Sequence, residues 1–472
     1  MSKNLTWQIL MIPIVYGSSI LLDYLFAKGV LVLCLCVIIM AAAFSIYAKK
    51  IKMSTPDIGA FFLILSYAIV YFCVRLTVSV LQDPIQRTFG ITDVQYTKFT
   101  SIFSLCYGAA QFIGGYLLGK GGIKTIGIFA TIVGILFVLF SLQTSFVGLL
   151  TVRALLGLFC SIGCTGLAFY LGNYWPKYLF STVFNVSLFV GYKGAETVSL
   201  YFQNSNWTLM PYSLGMAGII IGIGIFLMSK ILPPISESPS KDPEVLEDDL
   251  PSSNQQVETP IWKDGFIILC FIFSVFSVSI MYIAQDGWLI KLQESFAPAM
   301  ESKLLHQVFF SGLAVIALLF PILTNILGFF GFMLLSSILQ CIGFFIMQYP
   351  TLLGSTASLI GQIAAFSFAC GGMAHSIPQI LSSILYSGPQ LGFKLGLLNG
   401  GAMLLGCAGS QFLFGYIGSL LFPGVQKFSS QQVLEIWRYL APAPIIAMIT
   451  AILLYIFYKN TCEEKIRQAY QE

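Results

Sequence analysis

Long apolar runs alternate with short polar turns along almost the whole chain. A helix that crosses the hydrocarbon core of a bilayer needs about 20 mostly apolar residues, so each run predicts one membrane span. About fourteen spans are expected on this pattern. The first eight lie near 7–27, 29–48, 57–82, 97–119, 123–143, 147–173, 180–203 and 210–232. The others lie near 265–285, 305–325, 329–349, 353–378, 395–421 and 437–458. The expected fold class is an all-α polytopic membrane protein.

Two polar interruptions divide the pattern. The stretch AKKIKMSTPD separates two N-terminal spans (residues 1–50) from the rest. Residues 233–262, PPISESPSKDPEVLEDDLPSSNQQVETPIW, are rich in Pro, Ser and acids and cannot bury enough surface to fold alone. They predict a flexible linker between two blocks of about six spans, 57–232 and 263–460, with 461–472 as a tail. One constant shift relates the blocks: CTGLAF (164–169) overlays CGGMAH (370–375), Gly119 and Gly122 overlay Asn325 and Gly328, and 57–82 overlays 263–288. Parallel repeats of this kind build one large class of transporters.

Composition agrees with the pattern. The chain of 472 residues is 57% hydrophobic and 9% charged, against about 25% charged in soluble domains; its mean hydropathy is +0.86. Position matters more than the net charge of +4. With both termini inside, Lys and Arg outside the spans favour the cytoplasm by about two to one, which also puts the linker and tail there. Lys3 precedes the first run, but the exit DYLFAKG lacks a small-x-small cleavage pattern, so the first run is expected to remain as a helix. Eleven cysteines are scattered through apolar runs with no CxxC pair, which predicts packing residues and no metal site.

The loop GYLLGKGGIK (115–124) resembles the signature loop of the major facilitator superfamily, G-x-L-A-D-R-x-G-R-K. Gly115, Leu117, Gly122 and Lys124 match and Lys120 is conservative, while Gly119 stands where the family has an acid that locks the inner gate. Arg153-Ala-Leu-Leu-Gly157, followed by Trp175-Pro176, resembles the family's R-x-x-x-G span. The resemblance covers about 57–460 and implies two six-helix bundles around a central cavity. The N-terminal pair lies outside it. The glycine-proline antiporter signature is missing from 183–200, VFNVSLFVGYKGAETVSL.

Charges inside the spans are costly and mark functional candidates. Arg75 shares a helical stripe with Tyr67, Tyr71 and Ser79 at spacing four. The segment also resembles the first core span of organophosphate:phosphate antiporters, where an arginine contacts substrate phosphate. A guanidinium suits phosphate or carboxylate because it offers a bidentate donor fork. The branch's other marks are replaced: Gln111 stands for a lysine, Leu188 for a histidine, and 265–285 has no charge. Arg75, Tyr71, Tyr67 and Asn399 are therefore candidate binding residues for an anionic or zwitterionic substrate. Lys193 and Glu196, three apart in one span, are expected either to pair structurally or to couple transport to protons. Arg153 matches a family position linked to proton coupling or to fixing the helix. Gly115, Lys120, Gly122 and Lys124 are the candidate gating loop. His375 and His306 could titrate, although a lone histidine is more often a hydrogen-bonded packing residue, and Gln411, like Asn399, is expected to face another helix or the substrate.

These readings favour a secondary transporter working by alternating access, more readily an importer than an exporter, with protons as the candidate coupling ion. A membrane enzyme would need a catalytic cluster, and no paired carboxylates, HExxH, nucleotide loop or Ser/His/Asp set occurs. An organophosphate/phosphate-type antiporter is the alternative transporter that the resemblance implies, and a non-transporting sensor on a transporter fold is the third class. No cofactor or nucleic-acid partner is implied. The expected setting is a monomer in a bacterial cytoplasmic membrane, with a small-molecule substrate and the lipid bilayer as partners.

Overall fold

A computed structural model of the chain describes residues 55–174, 183–185, 187–188, 191, 194, 207–232, 264–289, 291–292, 304–348, 357–385 and 389–471. The expected first two spans, the 233–262 linker, Trp175-Pro176 and the Lys193/Glu196 pair lie outside these residues. Every regular element among the described residues is a helix.

Helix α1 (Thr55–Val80) starts with Asp57 in its first turn, where the helix dipole favours an anion. The short α2 (Gln82–Phe89) ends at Gly90, whose φ of 64° lies in the left-handed region that glycine enters without penalty. A capping box of Thr92 and Gln95 then starts α3 (Asp93–Ser141). At 1.5 Å per residue, α3's 49 residues would run about 73 Å if straight, far beyond the ~30 Å of a hydrocarbon core. The helix is instead folded at Gly122 (φ 55°, ψ −143°).

The same device recurs in the second half. Helix α8, described below, has 43 residues and bends at Gly328 (φ 72°, ψ 166°). Gly122 and Gly328 are the pair brought together by the repeat shift. The signature stretch 115–124 is thus no open loop: helix persists on both sides of a single bent residue.

The first half continues with α4 (Phe146–Cys160), capped by Ser145, α5 (Gly163–Tyr174) and α6 (Leu209–Met228). The second half opens with α7 (Gly265–Ile283), capped by Asp264 and continued by a π-helical turn at Ala284–Trp288. Then come α8 (Leu304–Ile346), α9 (Ala357–Ala374), α10 (Ser376–Leu385) and α11 (Pro389–Gly401). A π-helical stretch, Ala402–Gly409, joins α11 to α12 (Ser410–Leu421). The surface helix α13 (Ser430–Arg438) precedes α14 (Pro442–Gln471), which runs on through the stretch read as a tail.

Eight described stretches are long and apolar enough to cross a membrane. That count takes one stretch each from α3 and α8, although each is two helices. Large apolar side chains such as Ile220, Ile326 and Phe457 remain exposed, as expected of a surface solvated by lipid.

Helix α3 packs on α4 and α6, and α1 on α5 and α6. In the second half α8 packs on α9 and α14, and α7 on α9 and α14. The halves meet where α3 runs along α11, the π stretch and α12. Contact there is backbone to backbone: a Cβ on Gly108 would stand 2.7 Å from the Leu404 amide nitrogen. Ser104 and Cys407 bridge the same seam, with 2.9 Å between Sγ and Oγ.

Candidate functional site

Arg75 lies at this seam. Its Nη1 donates to the Tyr71 hydroxyl (3.3 Å) and its Nη2 approaches the Met403 sulfur (3.7 Å). The guanidinium carbon lies 4.2 Å from the centre of the Tyr282 ring, within cation–π range. One cation therefore touches α1, the end of α7 and the π stretch. Tyr71 in turn donates to Tyr107 (3.0 Å) and stacks on it, and Phe103 continues the stack. Arg75 is half-buried while Tyr71, Tyr107 and Tyr282 are buried, so the charge sits at the opening of an aromatic wall.

Arg153 fixes the backbone from which Arg75 projects. It is buried on α4, donates to the Val74 carbonyl (2.6 Å) and the Arg75 carbonyl (3.3 Å), and lies 4.1 Å over the Phe103 ring. Helix α1 already uses these carbonyls for its own ladder, and oxygen's second lone pair accepts the guanidinium. Arg153 thus clamps α1 to α3 and α4 at the turn that carries Arg75.

The other expected residues are dispersed. Tyr67 is wholly buried, and its hydroxyl has no hydrogen-bond partner among the described residues. Asn399 accepts from Gln379 (3.3 Å) one turn from Met403, which puts it near the Arg75 contact along the same helical span. Gln111, where the antiporter branch has a lysine, donates to the Ser161 carbonyl (2.9 Å) at the break between α4 and α5. Gln411 is buried, and His375 closes the break between α9 and α10 with Nδ1 against the Gly372 carbonyl. Gly115, Lys120 and Lys124 are exposed at the Gly122 bend, with Lys120 over Tyr116 at 4.6 Å. Lys193, Glu196 and the His306 side chain lie outside the described residues. Among the described residues no cluster could hold a metal ion.

Sequence reasoning missed a second centre. We label the two ends of the seam inner and outer by the lysine distribution. At the outer end Asp93 is fully buried in the first turn of α3. Its Oδ1 accepts from Gln86 (2.8 Å), and its Oδ2 from the Phe428 amide (2.6 Å) and from the Lys291 ammonium. Its own amide donates to the Gln426 carbonyl (2.9 Å). Lys291 and the 426–428 backbone belong to the second half, so one carboxylate ties the halves together. An acid in the first turn of a helix is already explained by the dipole, so Asp93 carried no separate signal. Tyr107, Tyr282 and Met403 were missed because one aromatic or Met in an apolar run carries no polar signal.

At the inner end, the buried Lys394 pairs with Asp264 (3.2 Å), which also caps α7. Both belong to the second half.

The twin bends and the seam between two related halves give a geometry that can be compared with known proteins. The profile of the Major Facilitator Superfamily matches residues 63–410. The chain belongs to this superfamily. Among solved structures, this superfamily member is similar to a substituted form of the nucleoside transporter NupG (TM-score 0.60, 15% identity, covering 84% of this chain and 100% of that one). It is also similar to a bacterial homologue of the human lysosomal transporter Spinster, captured inward-facing and unoccupied (TM-score 0.58, 15% identity, 87% and 98% covered). The inward-facing, occupied form of that homologue matches at TM-score 0.55 and 16% identity, with 87% and 96% covered. At such identities the likeness is one of fold. Comparison with curated proteins finds no match.

Proposed function

We propose that this protein is a secondary transporter that takes up a small anionic or zwitterionic metabolite by alternating access. The observation that carries this reading is Arg75, a cation at the seam in contact with residues of both halves. A carboxylate or phosphate bound there gains the two-pronged hydrogen bonding a guanidinium offers, and also attracts both halves to itself. Tyr71 and Tyr107 orient the guanidinium, Arg153 positions its backbone, and Tyr67 and Asn399 complete the candidate binding set. On the side of α7 the facing group is Tyr282, an aromatic face where a two-arginine phosphate site would have a second cation. This supports a metabolite with one anionic group and an apolar or ring-like body.

The outer knot at Asp93 supports a resting state closed outside and open inside. The Gly115–Lys124 bend would accommodate movement of the inner ends, and the protein would act as a monomer in a bacterial cytoplasmic membrane. Glu196, beside Lys193, is the proposed proton carrier.

The test is counterflow in proteoliposomes, with substrates first found by a thermal-stability screen of organic anions and amino acids. Arg75→Ala is expected to abolish both the ligand shift and exchange, a loss of at least ~2 kcal/mol in binding for a charge-assisted contact. A ligand shift that persists in Arg75→Ala removes Arg75 from the site. Glu196→Gln is expected to retain counterflow but lose acid-stimulated uptake; unchanged pH dependence rejects the coupling role.

A further inference from the structure

An apolar groove of about 210 Å³ lies between α3 and α6, lined by Ile128, Thr131, Ile132, Ile223 and Phe226. Thr131 donates its hydroxyl to the Gly127 carbonyl of its own helix (2.9 Å), so the lining presents hydrocarbon. Ile128 and Ile223 are 41% and 48% exposed, on a face that acyl chains cover in a membrane. The two helices touch closely beside it: a Cβ on Gly127 would stand 2.6 Å from the Phe226 amide nitrogen.

Two cations guard the inner rim of this groove. Lys124 and Lys230 place their ammonium nitrogens 5.8 and 5.4 Å from the centre of the same Phe226 ring. Neither forms an ion pair with another described residue. Lys230 follows the end of α6, where a cation complements the helix dipole. Lys124 does the opposite: it lies in the first turn of the helix that restarts after Gly122, where the dipole disfavours a cation. Helix stability therefore gives no reason for a lysine at 124, and the two like charges gain from an anion between them.

The geometry points to a binding site for one anionic phospholipid of the inner leaflet, its phosphodiester held between Lys124 and Lys230 and an acyl chain laid in the groove. Free phosphate would satisfy the lysines and leave the groove empty. A zwitterionic lipid would fill the groove and bring a competing cation to the lysines. An anionic diacyl lipid satisfies both.

Native mass spectrometry of the full chain in detergent, titrated with phosphatidylglycerol or phosphatidylcholine, tests this. One phosphatidylglycerol is expected to be retained in preference to phosphatidylcholine. The double variant Lys124→Gln/Lys230→Gln is expected to weaken that retention about tenfold, since each lysine near a charged headgroup contributes several-fold, with phosphatidylcholine unaffected. Ile223→Trp, which fills the groove and keeps both charges, should lower retention of both lipids. Lys459→Gln, a control on a lysine stacked over Tyr455 at the same end of the molecule, should change nothing. Unchanged phosphatidylglycerol retention in the double variant overturns the proposal. So does an equal loss in Lys459→Gln, which would indicate general surface charge, or displacement of the lipid by inorganic phosphate.

Discussion

The two ends of the seam differ in what ties the halves together. At the outer end the buried Asp93 is shared between the halves: its carboxylate accepts from the Lys291 ammonium and the Phe428 amide, and its own amide donates to Gln426, all of the other half. At the inner end the buried pair, Lys394 with Asp264, stays within one half. Among the described residues, no ion pair crosses at that end. In the proposed cycle, opening at the Asp93 end must separate a buried carboxylate from its partners, whereas opening at the Lys394 end separates neither of these pairs. Asp93 is buried but Lys291 is 20% exposed, so the scale is that of hydrogen bonds to a charged group, about 1.5–3 kcal/mol, enough to bias which end opens in the proposed cycle.

The largest expected effect follows from removing the outer tie. Asp93→Asn leaves Lys291 without its carboxylate and should shift the population toward opening at this end by about 1.5–3 kcal/mol, the scale of hydrogen bonds to a charged group. Distances between spin labels on the outer ends of α2 and α13 should lengthen, and an unchanged distribution would show that the knot is ornamental to the equilibrium. A smaller change is expected at the middle of the seam. Gly108→Val forces a side chain against the Leu404 backbone and should cost about 1–3 kcal/mol. The melting temperature should fall and both ends should gape in the same labelling experiment. The smallest shift in conformation belongs to the inner pair. Lys394→Met should lower stability by about 2 kcal/mol, the scale of a hydrogen bond to a charged group, yet leave label distances at the outer end as they were. A shift there as large as that of Asp93→Asn would erase the contrast between the two ends.

The fold was legible wherever it depended on periodicity. The span 57–82 corresponds to Thr55–Val80, 210–232 to Leu209–Met228 and 265–285 to Gly265–Ile283, because lipid demands an apolar run of fixed length whatever the packing. The repeat shift landed on Gly122 and Gly328, both at positive φ, because glycine alone enters that region freely. The site was legible only in part. Arg75 and Arg153 stood out as charges in apolar runs, but what they touch depends on tertiary contact: the Val74 carbonyl, the Tyr282 ring and the Met403 sulfur are set by helix packing. Asp93 was hidden for another reason. It satisfies a local rule at a helix start so well that its long-range partners, Lys291 and Phe428, left no trace in the pattern.

The π-helical stretch at Ala402–Gly409 gives the seam a reading frame. Along α3, Thr97 touches Gly415, Ser104 touches Cys407 and Gly108 meets Leu404, so the two sides of the seam keep pace past the stretch. The wider π turn carries its additional residue without loosening that contact. A helical wheel drawn straight through 395–421 therefore misassigns one end, since each residue turns an α-helix by about 100°. Deleting a single residue between 402 and 409 would convert the stretch to plain helix and leave α12 facing α3, whereas deleting one from the α-helical part of α12 would turn everything beyond it by about 100°.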